Sequence, residues 1–278
     1  MADKKASSSS KKSAAKTSTV KATSSVKALA SVKALGKTIN SMPIVGAVVA
    51  EFLGTFIITA SFLEMQGNPL FFAFALVGAV LVVGGVSGAH LNPAMTIGAW
   101  ATKKISSVNA LFYILAQVLG AVVAWLVLNA FLQNSGMSTT TSSLFHAATI
   151  TGGKEWYVFF AELLATTIFA VGVATAIRLR RNKVNAAFVA GFAVLTALYI
   201  GMSITTTLLT QSGTNLTFLN PAIAAVANGL SWNMWPIAIF VLAPVLGGII
   251  GFAIQDYLYS QSEGASCDCD GCSCDCCK

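Results

Sequence analysis

The sequence predicts an all-α integral membrane protein, with six transmembrane helices and two re-entrant half-helices arranged as an inverted repeat. Three observations predict it. The 278 residues are 55% hydrophobic and 10% charged, with a mean hydropathy of +0.75, whereas a soluble domain carries about 25% charged residues. The charge is also segregated: residues 1–43 hold nine Lys and one Asp, and residues 44–260 hold only twelve charged residues. Finally, Asn-Pro-Ala occurs twice in the apolar body, at Asn92, Pro93, Ala94 and at Asn220, Pro221, Ala222. A soluble fold so poor in charge could not cover its surface, and disorder, collagen and disulfide scaffolds are excluded for the bulk of the chain. The chain divides into a basic head (1–42), an apolar body (43–260) and a Cys-rich tail (261–278).

A span needs about 20 apolar residues. The spans are expected at about 44–63, 70–87, 108–132, 156–177, 185–208 and 236–259. Two uncharged stretches exceed this scheme. Met65–Thr102 is too long for one span and too short for two with a loop; Val184–Gln255 holds two spans and a remainder. The remainders are Asn92–Thr102 and Asn220–Leu230. Asn is a favoured N-cap and Pro suits the first helical position, so each remainder reads as a short re-entrant helix. The 1–2 connection carries no Lys or Arg and the 3–4 connection only Lys154. The 2–3 connection carries Lys103 and Lys104, and the 4–5 connection carries Arg178, Arg180, Arg181 and Lys183. The positive-inside rule then places head, tail and the basic connections in the cytoplasm. No cleavable signal peptide is expected, because the first apolar stretch begins after residue 42.

The halves repeat. Glu51-Phe-Leu-Gly-Thr55 in span 1 matches Glu162-Leu-Leu-Ala-Thr166 in span 4, and each half carries one Asn-Pro-Ala. The copies run over about 43–134 and 154–260. Three spans per half gives the copies opposite orientation, which places a site near the bilayer midplane. An intramembrane carboxylate is expensive. Glu51 and Glu162 read either as a proton or cation site, or as buried acceptors for the backbone N–H groups of the re-entrant loops, which must find partners inside the protein.

Ser87-Gly-Ala-His-Leu-Asn-Pro-Ala-Met-Thr96, the second Asn-Pro-Ala and the two buried acids resemble the aquaporin, or major intrinsic protein, family over about residues 44–259. The resemblance implies a narrow pore, half-helices meeting at their Asn-Pro-Ala ends, and the amides of Asn92 and Asn220 donating to a passing solute oxygen. Each helix N-terminus carries about half a positive charge, so two meeting ends repel cations. The resemblance also implies a homotetramer, a lipid-embedded channel in the cell membrane, and passive flow of water or small neutral solutes. Glycerol, ammonia or peroxide facilitation and a non-conducting scaffold on the same fold are the alternative readings. His90 sits where the family also carries His and reads as a structural or pore-loop residue. His146 reads as a solvent-facing loop residue.

One departure stands out. The family usually has Arg after the second Asn-Pro-Ala; here Ile223 follows. The other constriction positions implied by spacing are Phe72, Thr217, and on span 5 either Leu208 or Thr207. The constriction is expected to be apolar, with weaker discrimination among small neutral solutes. Ala224 replaces the Asp common in glycerol-conducting members.

The Lys/Ser/Ala-rich head has a composition that stays disordered. Its Lys residues suit a solvated tail or anionic lipid; nucleic-acid binding finds no aromatic residues or recognisable module there. The tail cysteines, Cys267, Cys269, Cys272, Cys274, Cys276 and Cys277, suit a soft metal ion, acylation or no specific role. No metal is expected in the channel. No nucleophile–base pair, phosphate loop or cofactor motif appears, so neither an enzyme nor a bound cofactor is expected.

Overall fold

The computed structural model describes residues 43–65, 67–134, 147, 150, 152–179, 181–208 and 217–265, with backbone only at 43, 207, 208 and 262–265. The head, His146 and all six tail cysteines lie outside the described residues. The described residues form helices and the connections between them, with no strand among them. The spans are Pro43–Glu64, Pro69–Ser87, Ser107–Asn134, Glu155–Arg178, Lys183–Leu208, and a rod from Met234 to Ala265. Six helices are long and apolar enough to cross a membrane.

Several of these features have a local cause. Span 2 begins at Pro69 behind Asn68, whose side chain accepts from Leu70 N, and it ends at Gly88, left-handed at φ 91°. The rod of span 6 contains a wide π turn at Ala238–Leu242, in which Ala243 N–H donates to Ala238 O. Pro244, one residue later, lacks a backbone N–H and would crowd the carbonyl four residues back in a regular turn; the wide turn accommodates it.

Half-helices occupy both remainders. The first spans Pro93–Ala101, close to its predicted extent. The second spans only Pro221–Val226, shorter than the predicted Asn220–Leu230. Asn228 adopts a left-handed φ of 58°, and Gly229 N and Leu230 N both donate to Ala224 O. This αL closure ends the helix early.

The repeat is visible in the packing. A Cβ on Gly120 of span 3 would lie 2.5 Å from Phe52 O of span 1, and a Cβ on Gly247 of span 6 would lie 2.8 Å from Leu163 O of span 4. Phe52 and Leu163 each follow the buried Glu of their half. Glycine thus lets backbones touch at matching places, the usual device where lipid removes the hydrophobic drive between helices. The first half-helix rests on span 6 the same way: a Cβ on Gly98 would meet Gly248 O at 2.6 Å.

The ends of the helices differ. At one end Asp256 accepts from Lys104 (2.5 Å) and Arg178 (2.6 Å), and Arg178 stacks 3.9 Å over the Tyr259 ring. Here this is called the basic end. Toward the opposite end, Trp156 meets Trp235 edge-on at 5.1 Å and Trp232 is 82% exposed, as suits a membrane–water interface.

Candidate conduit between the half-helices

Both Asn-Pro-Ala segments begin with the same local chemistry. Asn92 Oδ1 accepts from Ala94 N at 2.8 Å and Asn220 Oδ1 accepts from Ala222 N at 3.0 Å, so each Asn caps its own helix. Pro93 and Pro221 take the first helical position, where no N–H is needed. Each amide nitrogen then crosses to the other half. Asn92 Nδ2 donates to Leu219 O at 2.8 Å, and Asn220 Nδ2 donates to Leu91 O at 3.0 Å. Leu91 and Leu219 are left-handed, at φ 50° and 57°, a conformation that is costly without glycine. That turn presents each carbonyl to the opposite amide. A carboxamide has two N–H donors; the crossed bonds account for one each, and both residues line the central cavity.

The strained loops are held from behind by the two acids, both fully buried. Glu51 accepts His90 N at 3.0 Å and Leu91 N at 2.7 Å; Glu162 accepts Phe218 N at 2.6 Å and Leu219 N at 3.1 Å. In each half the carboxylate takes the two N–H groups just before the Asn. This geometry is the acceptor role, and it leaves the carboxylates engaged with backbone. Gln117, which the sequence reading missed, adds a third bond to Glu51 (2.8 Å) and another to Thr96 Oγ1 (2.8 Å). A single glutamine in an apolar span was its only signal. His90 has its Nδ1 3.3 Å from Thr96 Oγ1 and lies edge-on to Tyr113 at 5.4 Å.

The central cavity is lined by Ile58, Phe72, Leu76, Phe169, Val194 and Phe218, together with the residues from His90 to Asn92 and Leu219 and Asn220. A second cavity toward the basic end is lined by Val80, Gly84, Gly88, Ala89, Val173, Ala176, Ile177, Lys183, Ala186 and Ala190. The linings continue one another. Phe72, Leu76, Val80 and Gly84 form one i, i+4 stripe of span 2; Phe169 and Val173 lie on span 4; Ala186, Ala190 and Val194 lie on span 5. The two cavities therefore lie end to end along one axis, with the Gly88–Asn92 loop passing from one to the other.

Toward the other end, the residues assigned to a constriction by spacing fall as follows. Phe72 is buried and held edge-on by Phe62 at 5.5 Å. Phe62 also meets Phe218, which meets Phe240 at 5.0 Å. Thr217 and Ile223 are fully buried. The side chains of Thr207 and Leu208 lie outside the described residues. Span 5 enters the central cavity at Val194, and Leu198, one turn on, is fully buried. Beyond it, Gly201 leaves room for Thr217, whose Cγ2 would lie 2.7 Å from a Cβ there, and Thr205 Oγ1 lies 3.4 Å from Thr217 Oγ1. Thr207 and Leu208 are a further nine and ten residues past Leu198, about 14 Å along the helix axis. Thr207 and Leu208 thus lie at the far end of span 5.

Among the described residues no cluster of three or more His, Cys, Asp or Glu is placed to hold a metal ion.

Comparisons with known proteins agree with this geometry. The Major intrinsic protein family matches residues 38–255. Aquaporin AqpM of Methanothermobacter thermautotrophicus is 32% identical, covering 69% of this chain and 76% of the relative. Glycerol uptake facilitator protein-like 6 of Lactiplantibacillus plantarum is 30% identical, covering 73% and 93%. The X-ray structure of the aquaglyceroporin from Plasmodium falciparum shares the fold with a TM-score of 0.58 at 23% identity, covering 80% of this chain and 99% of that one.

Proposed function

The chain belongs to the major intrinsic protein family, and from that premise we propose how this particular sequence conducts and selects. It is a passive, multi-pass membrane channel for water or small neutral solutes. The observation that carries the reading is the reciprocal bonding of Asn92 and Asn220 at the meeting ends of two half-helices, inside a cavity whose other lining side chains are apolar apart from His90.

In this reading a solute oxygen accepts the second N–H of Asn92 and of Asn220. Ile58, Leu76, Phe169 and Val194 offer it nothing else to bond. A water whose oxygen already accepts from two donors can only donate to its neighbours and cannot accept from them, which interrupts the hydrogen-bonded file that would relay protons. The positive ends of the half-helices add an electrostatic barrier to cations. Glu51 and Glu162 hold the loops and do not carry protons.

The constriction is assigned to Phe72, Leu198, Thr217 and Ile223, with Leu198 in place of the Thr207 or Leu208 expected from spacing. Thr217 contributes the one hydroxyl. With no guanidinium at position 223, solutes larger than water meet a less polar and less crowded passage, so glycerol-sized solutes are expected to pass beside water. The basic end faces the cytoplasm by the positive-inside rule. The protein is expected in the cell membrane as a homotetramer with one conduit per protomer. The tail cysteines are assigned no part in conduction; a soft metal ion or acylation there remains the expectation from sequence.

Reconstituted vesicles test the reading by stopped-flow light scattering, first with an impermeant osmolyte and then with glycerol. Shrinkage well above empty vesicles, followed by a fast glycerol re-swelling phase, supports it. Rates equal to empty vesicles, with the protein shown to be folded and inserted, favour the scaffold reading.

A further inference from the structure

Lys183 is the one formally charged side chain lining either cavity among the described residues. It opens span 5 at the basic end and shares the second cavity with Gly84, Gly88, Ala186 and Ala190. The fit is specific. A Cβ on Gly85 of span 2 would lie 3.0 Å from Lys183 Cε and 3.1 Å from its Nζ, so the glycine gives the lysine a bed across the rim. Lys183 forms no ion pair among the described residues, whereas Lys104 and Arg178 at the same end share Asp256. Its place is electrostatically unfavourable for stability alone, because a cation in a first turn faces the positive end of the helix. Here that end and the ammonium act in one direction, and the rim they make positive is the mouth of the conduit.

We propose that Lys183 is a charge filter at this mouth: a fixed cation that lowers the local concentration of cations and raises that of anions. It restores to the conduit a full positive charge that Ile223 does not provide at the other end. The inference rests on the reading of the two cavities as one conduit. One unit charge about 7 Å away through water changes the local concentration of a monovalent ion by about threefold, upward or downward by sign. Two reagents of opposite charge should therefore differ by roughly tenfold because of Lys183, and the difference should shrink in high salt.

The body contains no cysteine, since all six lie in residues 267–277. The full-length chain with those six replaced by Ser is therefore a clean background for Ala186→Cys, and for Ala190→Cys one turn deeper. Each is reconstituted in vesicles with its own water flux as baseline. It is then treated from the basic end with a sulfonate-bearing or a trimethylammonium-bearing methanethiosulfonate, and the rate of flux block is recorded. With Lys183 present the sulfonate is expected to react faster with the thiol introduced by Ala186→Cys. Lys183→Gln is expected to lower the sulfonate-to-ammonium rate ratio by roughly tenfold, Lys183→Glu to invert it, and the effect to be smaller for Ala190→Cys. A ratio that Lys183→Gln leaves unchanged overturns the filter, as does a thiol at position 186 that neither reagent reaches. A thiol at position 186 that reacts without blocking flux instead overturns the conduit reading, so the two failures are distinguishable.

Discussion

Replacing Glu162 by Ala probes the chain of support beneath the conduit. The carboxylate accepts Phe218 N at 2.6 Å and Leu219 N at 3.1 Å, and it is fully buried. Alanine leaves two buried backbone N–H groups without their acceptor. Each orphaned buried donor costs about 1–3 kcal/mol, so the loss is about 2–6 kcal/mol. Glu162→Gln should fall between wild type and Ala. Its amide oxygen can accept one N–H, while its NH2 group opposes the other. Glu51→Ala orphans the N–H groups of His90 and Leu91 and also removes an acceptor from Gln117, so it should cost at least as much. The assay is denaturant unfolding of the detergent-solubilised protein followed by tryptophan fluorescence, with vesicle water flux measured in parallel. Both stability and flux are expected to fall, because Leu219 loses the bond that holds its carbonyl toward Asn92. A Glu162→Ala protein with the wild-type unfolding midpoint and wild-type flux would refute the reasoning. A pH or cation dependence of wild-type flux that is lost in Glu162→Gln would point back to a proton or cation site.

Three other outcomes are expected. Ile223→Arg adds donors and bulk at the proposed constriction and should lower the glycerol-to-water permeability ratio at least severalfold in stopped-flow measurements; an unchanged ratio removes Ile223 from the constriction. In the tail-serine background, Leu198→Cys should make water flux sensitive to a thiol reagent, whereas Thr207→Cys and Leu208→Cys should not; the reverse pattern restores the placement by spacing. Asp256→Asn removes the negative charge shared by Lys104 and Arg178, but these side chains are 22–33% exposed. Solvent-screened pairs of this kind are worth at most about 1 kcal/mol, so the unfolding midpoint should move little and flux should persist.

The spans and the half-helices were legible because each is written in local chemistry. Apolar runs of membrane length mark the spans, and Asn-Pro marks a capped helix start. The repeat offered the acceptor reading of the paired acids, since each half had one acid and one loop to hold, beside the reading as a proton or cation site. Other features depend on distance rather than pattern. The left-handed turns at Leu91 and Leu219 come from the crossed amide bonds, and no residue preference announces them. Gln117 acts only because span 3 passes behind the first loop. Counting back from Asn220 reaches only the last residues of span 5, so it passes over Leu198, the residue proposed for the constriction. The early end of the second half-helix was written in Asn228-Gly229, a common helix stop, and went unread because the first half-helix served as the template.

The most direct test of the central claim is osmotic water flux through vesicles carrying wild type or a chain with both Asn92 and Asn220 replaced by Leu, with folding and insertion checked for each. Leucine keeps asparagine's γ-branched shape but replaces each amide with bulkier methyl groups, so the change removes the two amides and also narrows the passage. The account predicts that rapid wild-type flux falls toward that of empty vesicles, because the crossed bonds and the solute-facing donors vanish together. Wild-type flux in a folded double variant would contradict the claim that solutes pass at the meeting ends of the half-helices.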